Sequence, residues 1–128
     1  MKQIISKDKQ KAESLIKTAE TTLIRLNETE KTKYPSNSLI DYYSILHSLM
    51  EALTYKEGLK FRGESAHKEL INYICQKYNL EESIRVFIQE LRSYRNNISY
   101  EGFSVKKEFI EQNIVYIEKI ISILKKLN

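Results

Sequence analysis

The densest set of side chains able to bind or move charge lies in Glu90-Leu91-Arg92-Ser93-Tyr94-Arg95-Asn96-Asn97-Ile98-Ser99-Tyr100-Glu101-Gly102. On a helical wheel Arg95 comes seven residues after Ile88 and four after Leu91, so it borders an apolar face where a leucine is expected. Arg92, Asn96 and Ser99 share its side of the helix, and Tyr100 follows one residue on. A charge beside a buried face is costly unless it is paired. A planar guanidinium grips phosphate through two parallel hydrogen bonds. Phosphate binding through Arg92, Arg95, Asn96 and Ser99 is therefore one expectation. Two plainer explanations stay open: an arginine in a last helical turn is favoured by the helix dipole alone, or it pairs with a glutamate on a neighbouring helix.

Other chemistry is sparse. His47 and His67 are the only histidines and Cys75 is the only cysteine, which excludes a three-histidine metal site and an internal disulfide. His47 lies four residues after Tyr43 on an apolar stripe and reads as a core histidine with its ring nitrogens satisfied. His67 falls in the first turn of a short helix, where it reads as a cap or a solvent-facing residue. Cys75 reads as a small apolar core residue. The adjacent Tyr42 and Tyr43 cannot both face one core, so one of them is expected in a groove or against a second subunit. There is no Gly-rich phosphate loop and no His-Glu-x-x-His, and neither a metal nor a cofactor is expected.

The elements that must position these residues read as helices. Five are expected and no strand: Ile4 to Lys33, Ser38 to Gly58, Ser65 to Tyr78, Asn79 to about Asn97–Gly102, and Ser104 to the C-terminus. Ala12, Leu15, Ile16, Ala19, Leu23 and Leu26 recur with helical spacing, as do Leu39, Tyr43, Leu46, Met50 and Leu53. Ser38, Asn79 and Ser104 are the expected N-caps. Short connections predict antiparallel neighbours. The fold class expected is all-α: an up-and-down four-helix bundle with one short additional helix, forming a single domain over residues 1–128. At 1.5 Å per residue the first helix would reach ~45 Å and overhang the bundle.

Composition agrees. The 128 residues include three Gly and one Pro, too little punctuation for a many-turned sheet. Hydrophobic residues make up 41% and charged residues 30%, which suits a globular core rather than a disordered chain. The net charge of +4 permits a nucleic-acid or nucleotide partner without requiring one. No apolar run is long enough to span a membrane, the first residues lack the apolar centre of a signal peptide, and the single cysteine suits a reducing compartment. A cytoplasmic location without membrane contact is the expectation.

A resemblance is carried by several segments in order. Tyr42-Tyr43-Ser44-Ile45-Leu46-His47-Ser48-Leu49-Met50-Glu51-Ala52-Leu53 is followed by Lys56-Glu57-Gly58-Leu59, then Ala66-His67-Lys68-Glu69-Leu70-Ile71, and then the arginine segment. From about Ala12 to Leu127 the chain resembles the HEPN domain family, small all-helical modules common in prokaryotes. That family's catalytic signature is an arginine followed, after four to six residues, by a histidine. Here Arg95 is followed by polar Asn96, and the four-residue spacing lands on Tyr100 instead. The resemblance implies a two-fold homodimer whose arginine motifs meet in one interface cleft. In active members RNA is cleaved without metal, histidine handling the proton and arginine the phosphate. It implies three alternatives: an RNA- or nucleotide-binding module with weak or no nuclease activity, a toxin-type ribonuclease, or an interaction module paired with a nucleotidyltransferase antitoxin. It makes Arg95, Asn96 and Tyr100 the candidate catalytic residues, and it adds Tyr100 to Arg92, Arg95, Asn96 and Ser99 as a binding residue. His47 and His67 are accessory candidates if either reaches the cleft.

Overall fold

The computed structural model describes residues 1–128. In chain order the elements are β1 (Lys2–Ile4), α1 (Lys9–Asn27), α2 (Pro35–Glu57), β2 (Leu59–Phe61), α3 (Ala66–Lys77), α4 (Glu82–Glu101) and α5 (Lys107–Leu127). The five helices are as expected in number, but the two short strands correct the expectation of none. β1 pairs antiparallel with β2, setting Lys2 against Phe61, Gln3 against Lys60 and Ile4 against Leu59.

That ribbon is why α1 is shorter than its apolar spacing suggests. The Ile5 N–H donates to the Gly58 carbonyl and the Asp8 N–H to the Tyr55 carbonyl, both at 2.9 Å, so the extended stretch has acceptors without a helix. Asp8 then caps α1, its carboxylate accepting from the Lys11 N–H at 2.8 Å. Nineteen residues of helix reach ~28 Å rather than ~45 Å. Gly58 makes the close approach possible. It ends α2 at φ 80°, and a Cβ there would lie 2.6 Å from the Ile5 carbonyl oxygen.

Three expected caps are displaced, each for a local reason. α2 begins at Pro35, because proline fits the first helical position, and the Ser38 hydroxyl instead donates to the Lys31 carbonyl at 2.7 Å. Asn79 ends α3 rather than starting α4. It sits at φ 53°, while the Leu80 N–H reaches the Cys75 carbonyl and the Asn79 N–H reaches that of Gln76, a Schellman closure. Glu81 then holds the N-cap position of α4. α5 starts after Lys106, leaving Ser104 in the preceding loop.

α2 is the centre of the packing, touching α1, α3, α4, α5 and β2. α3 lies on α4, and α4 meets α5 through the edge-on pairs Phe87–Tyr116 and Tyr94–Phe109. One apolar cluster of 22 buried residues draws on all five helices and includes Cys75, packed as an apolar residue. With neighbours on every side, α2 buries both adjacent tyrosines: Tyr42 is 0% exposed and Tyr43 2%. The expectation that one of them would face a groove or a second subunit is overturned. Tyr42 turns toward Glu118 of α5, and Tyr43 turns toward α3 and α4.

Candidate functional site

The two histidines, twenty residues apart in sequence, meet in space. His47 projects from the middle of α2 and His67 from the first turn of α3. Their rings stack with centroids 4.0 Å apart and planes 19° from parallel. Tyr43, one turn before His47, brings its hydroxyl within 2.9 Å of His67 Nδ1. Burial and the absence of any other partner make that hydroxyl the donor, which places the neutral ring's proton on Nε2. His67 is thus neither a cap nor a solvent-facing residue. His47 is not a satisfied core histidine either. Its Nδ1 lies 3.7 Å from Glu51 Oε1, too far for a hydrogen bond, and Glu51 is held instead by Lys60 at 2.6 Å.

α4 brings the arginines to the same place. The Arg95 guanidinium carbon lies 5.9 Å from the centre of the Tyr43 ring and 5.8 Å from that of Tyr100. Arg95 donates to Asn96 Oδ1 at 3.1 Å, and Arg92 donates to Gln89 Oε1 at 2.8 Å. Neither guanidinium joins an ion pair. The two plainer explanations both fail for Arg95: no carboxylate holds it, and α4 runs on to Glu101, so no basic residue lies in its last turn.

Electrostatics follow from this placement. Burial lowers the basicity of His47, the neighbouring His67 lowers it further, and the charges of Lys60 and Arg95 add to the effect against Glu51, bringing the pKa down to about 4. His67 is lowered by burial and then by Arg95, with Arg92 and Lys60 adding and Glu51 opposing. Burial pushes the Tyr43 phenol up to about 12, with Arg92 and Arg95 pulling the other way. The set is a cationic field over two neutral imidazoles and one neutral phenol. It can attract an anion, donate to it from guanidinium and imidazole N–H groups, and exchange a proton through an imidazole. A cavity of about 420 Å³ opens beside the stack between α2, β2 and the start of α3, with His47, Glu51, Lys60, Arg62 and His67 in its walls.

Of the residues singled out from sequence, Arg92, Arg95, His47 and His67 come together and Asn96 joins through Arg95. Tyr100 stands at the rim, 72% exposed, with its ring beside Arg95. Ser99 is exposed and makes no side-chain hydrogen bond. Sequence reasoning missed Tyr43, Glu51 and Lys60 as parts of the site. Tyr43, His47 and Glu51 recur every four residues along one face of α2, a spacing that could have joined the first two to a carboxylate. No group of three or more His, Cys, Asp or Glu could hold a metal ion, and no helix is long and apolar enough to cross a membrane.

A family model of the HEPN domain matches residues 12–127. The chain belongs to the HEPN domain family. Every residue of the cluster falls inside the HEPN match, and so does β2, whereas β1 lies before it. The HEPN family is associated with ribonucleases and nucleotide-binding modules. No curated protein and no solved structure matches the chain.

Proposed function

We propose that this HEPN chain binds RNA or a nucleotide by its phosphate at the Arg92–Arg95 pair, with Asn96 and Tyr100 at the rim and the histidines lining the site. The observation that carries the reading is a half-buried guanidinium pair with no carboxylate partner, set against imidazoles that stay uncharged. Unpaired buried charge is costly, and an incoming phosphate offsets that cost. In this reading Tyr100 stands in the position of the family's catalytic histidine. A phenol is a poor base near neutrality, so nuclease activity is weak or absent. The chain acts as a homodimer in the cytoplasm, and the exposed Tyr94 and Tyr100 beside the arginines, with Phe103 in the loop after α4, form the surface a second copy would cover. The test is Arg95→Ala titrated with a labelled single-stranded RNA. Loss of a charge-assisted contact should weaken binding by roughly tenfold or more, with the helical circular dichroism unchanged. Unaltered affinity overturns the proposal.

A second reading, a metal-independent ribonuclease of toxin type, is favoured by one specific observation: two imidazoles stand beside the guanidiniums although no histidine follows Arg95 in sequence. Incubation of mixed-sequence RNA with the protein and a chelator separates the two readings. Products that disappear in His47→Gln or His67→Gln support catalysis, and no products at high protein concentration remove it. A third reading, an interaction module for a nucleotidyltransferase antitoxin, rests on the apolar cleft of about 380 Å³ between α4 and α5, where Tyr94, Ile98, Phe103 and Phe109 form the walls. Co-purification with the product of an adjacent nucleotidyltransferase gene tests it.

A further inference from the structure

The histidine stack has a feature that anion binding at the arginines alone does not explain. His67 has its Nδ1 occupied by Tyr43, so its remaining N–H is a fixed donor. His47 has neither nitrogen engaged, and one of them lies 3.7 Å from a carboxylate oxygen of Glu51. The groups that face the stack are Tyr43 and Glu51 from α2, Lys60 from β2, and Arg92 and Arg95 from α4, with α3 contributing His67 itself and Arg62, just after β2, sharing the cavity wall. Burial first, then the neighbouring imidazole and the cations around it, keep the empty site unfavourable to a further positive charge, with one carboxylate opposing them. Glu51 is also committed to Lys60 at 2.6 Å. An anion entering beside the ring offsets that opposition by its own attraction for the extra proton. His47 is then able to carry one proton toward Glu51 on Nδ1 and offer the other, on Nε2, to the ligand.

We propose that His47 is a proton-coupled ligand-binding residue: neutral when the site is empty, it takes up one proton as a phosphate group enters beside His67 and the two arginines. This rests on the reading of the cluster as a phosphate site. It makes affinity for phosphate-bearing ligands rise on acidification, with His67 as the constant donor and His47 as the titrating one. Arg92 and Arg95 set the attraction, and the imidazole sets its pH dependence. The cavity beside the stack gives the ligand access to the His47 ring from the Lys60 side.

The probe is a short oligouridylate, whose phosphodiesters and bases keep constant charge from about pH 5.5 to about pH 7.5, the range in which an imidazole titrates. Uptake of one proton should tighten binding by up to about tenfold per pH unit. Calorimetry on the unaltered protein in two buffers of different ionisation enthalpy counts the proton directly and needs no variant. His47→Gln should bind with an affinity that no longer changes with pH, whatever its level at the neutral end. Tyr43→Phe, which frees His67 Nδ1, should leave a dependence that His47 still controls. Binding without proton uptake, or a pH slope unchanged in His47→Gln, overturns the coupling and leaves the arginine site standing. No binding at any pH overturns the phosphate-site reading and the coupling with it.

Discussion

Acid should destabilise this chain through its histidines before its carboxylates are reached. His47 and His67 are both less basic in the folded chain than in the unfolded one, mainly through burial. The unfolded chain binds protons once the pH drops below about 6.5, while the folded chain resists, so stability is complete above that value and drains away below it. The limiting slope is about 1.4 kcal/mol per pH unit for each imidazole. His47, held lowest, approaches that slope below about pH 6.5 and should contribute about 2 kcal/mol between about pH 7.5 and about pH 5, and His67 adds with the same sign. Glu57 and Glu82, whose carboxyls are lowered in the folded chain by Lys77 and Tyr73 and by Arg85 respectively, also cost stability in acid. They do so only below their unfolded pKa of about 4.3, so the higher window belongs to the imidazoles. Urea unfolding followed by far-ultraviolet circular dichroism, at about pH 7.5 and about pH 5, measures the loss. His47→Gln should be spared most of that loss of about 2 kcal/mol (about one seventh to two fifths of a typical domain's stability). An equal acid loss in the variant and the parent would falsify the assignment of the effect to this ring.

Other outcomes follow from single contacts. Tyr42 is fully buried with a hydroxyl that finds no partner, so Tyr42→Phe should be neutral or raise stability by up to about 1 kcal/mol in the same urea assay. Tyr43→Phe removes the bond to His67 and should cost about 1 kcal/mol at neutral pH, with a shift of the His67 ring resonances. Gly58→Ala puts a Cβ against the Ile5 carbonyl at a left-handed backbone, so it should lower the melting temperature and speed amide exchange in the β1–β2 ribbon. Leu91→Ala opens the core beneath the arginines and should cost about 2–5 kcal/mol by chemical denaturation.

What could be read from the sequence and what could not divide along one physical line. Helices declare themselves through apolar residues repeating within one segment, and the five were legible for that reason. The ribbon was not, because Lys2–Ile4 and Leu59–Phe61 are three residues each and neither has a reason to be extended until the other is beside it. Asn79 has the side chain of an N-cap, but the competing Schellman closure of α3 took it. Arg95 was recognisable as an arginine out of place, since its conflict with the apolar face lies within one helix. That Arg95 lacks a carboxylate, and that His47 and His67 stack, depends on which helices become neighbours. Tyr42 and Tyr43 misled for the same reason: adjacent residues point apart, and only a helix enclosed on all sides buries both.

The position of α2 bears on how occupancy would be sensed. Tyr43, His47 and Glu51 alternate along that helix with Leu46, Leu49 and Met50, which are wholly inside the molecule. The groups that would greet a ligand and those that hold the protein together are successive teeth on one rod. No loop or hinge lies between them to absorb a disturbance. Filling the site should therefore register as a shift of the entire cooperative melt, with amides far away in α1 and α5 exchanging more slowly along with those nearby.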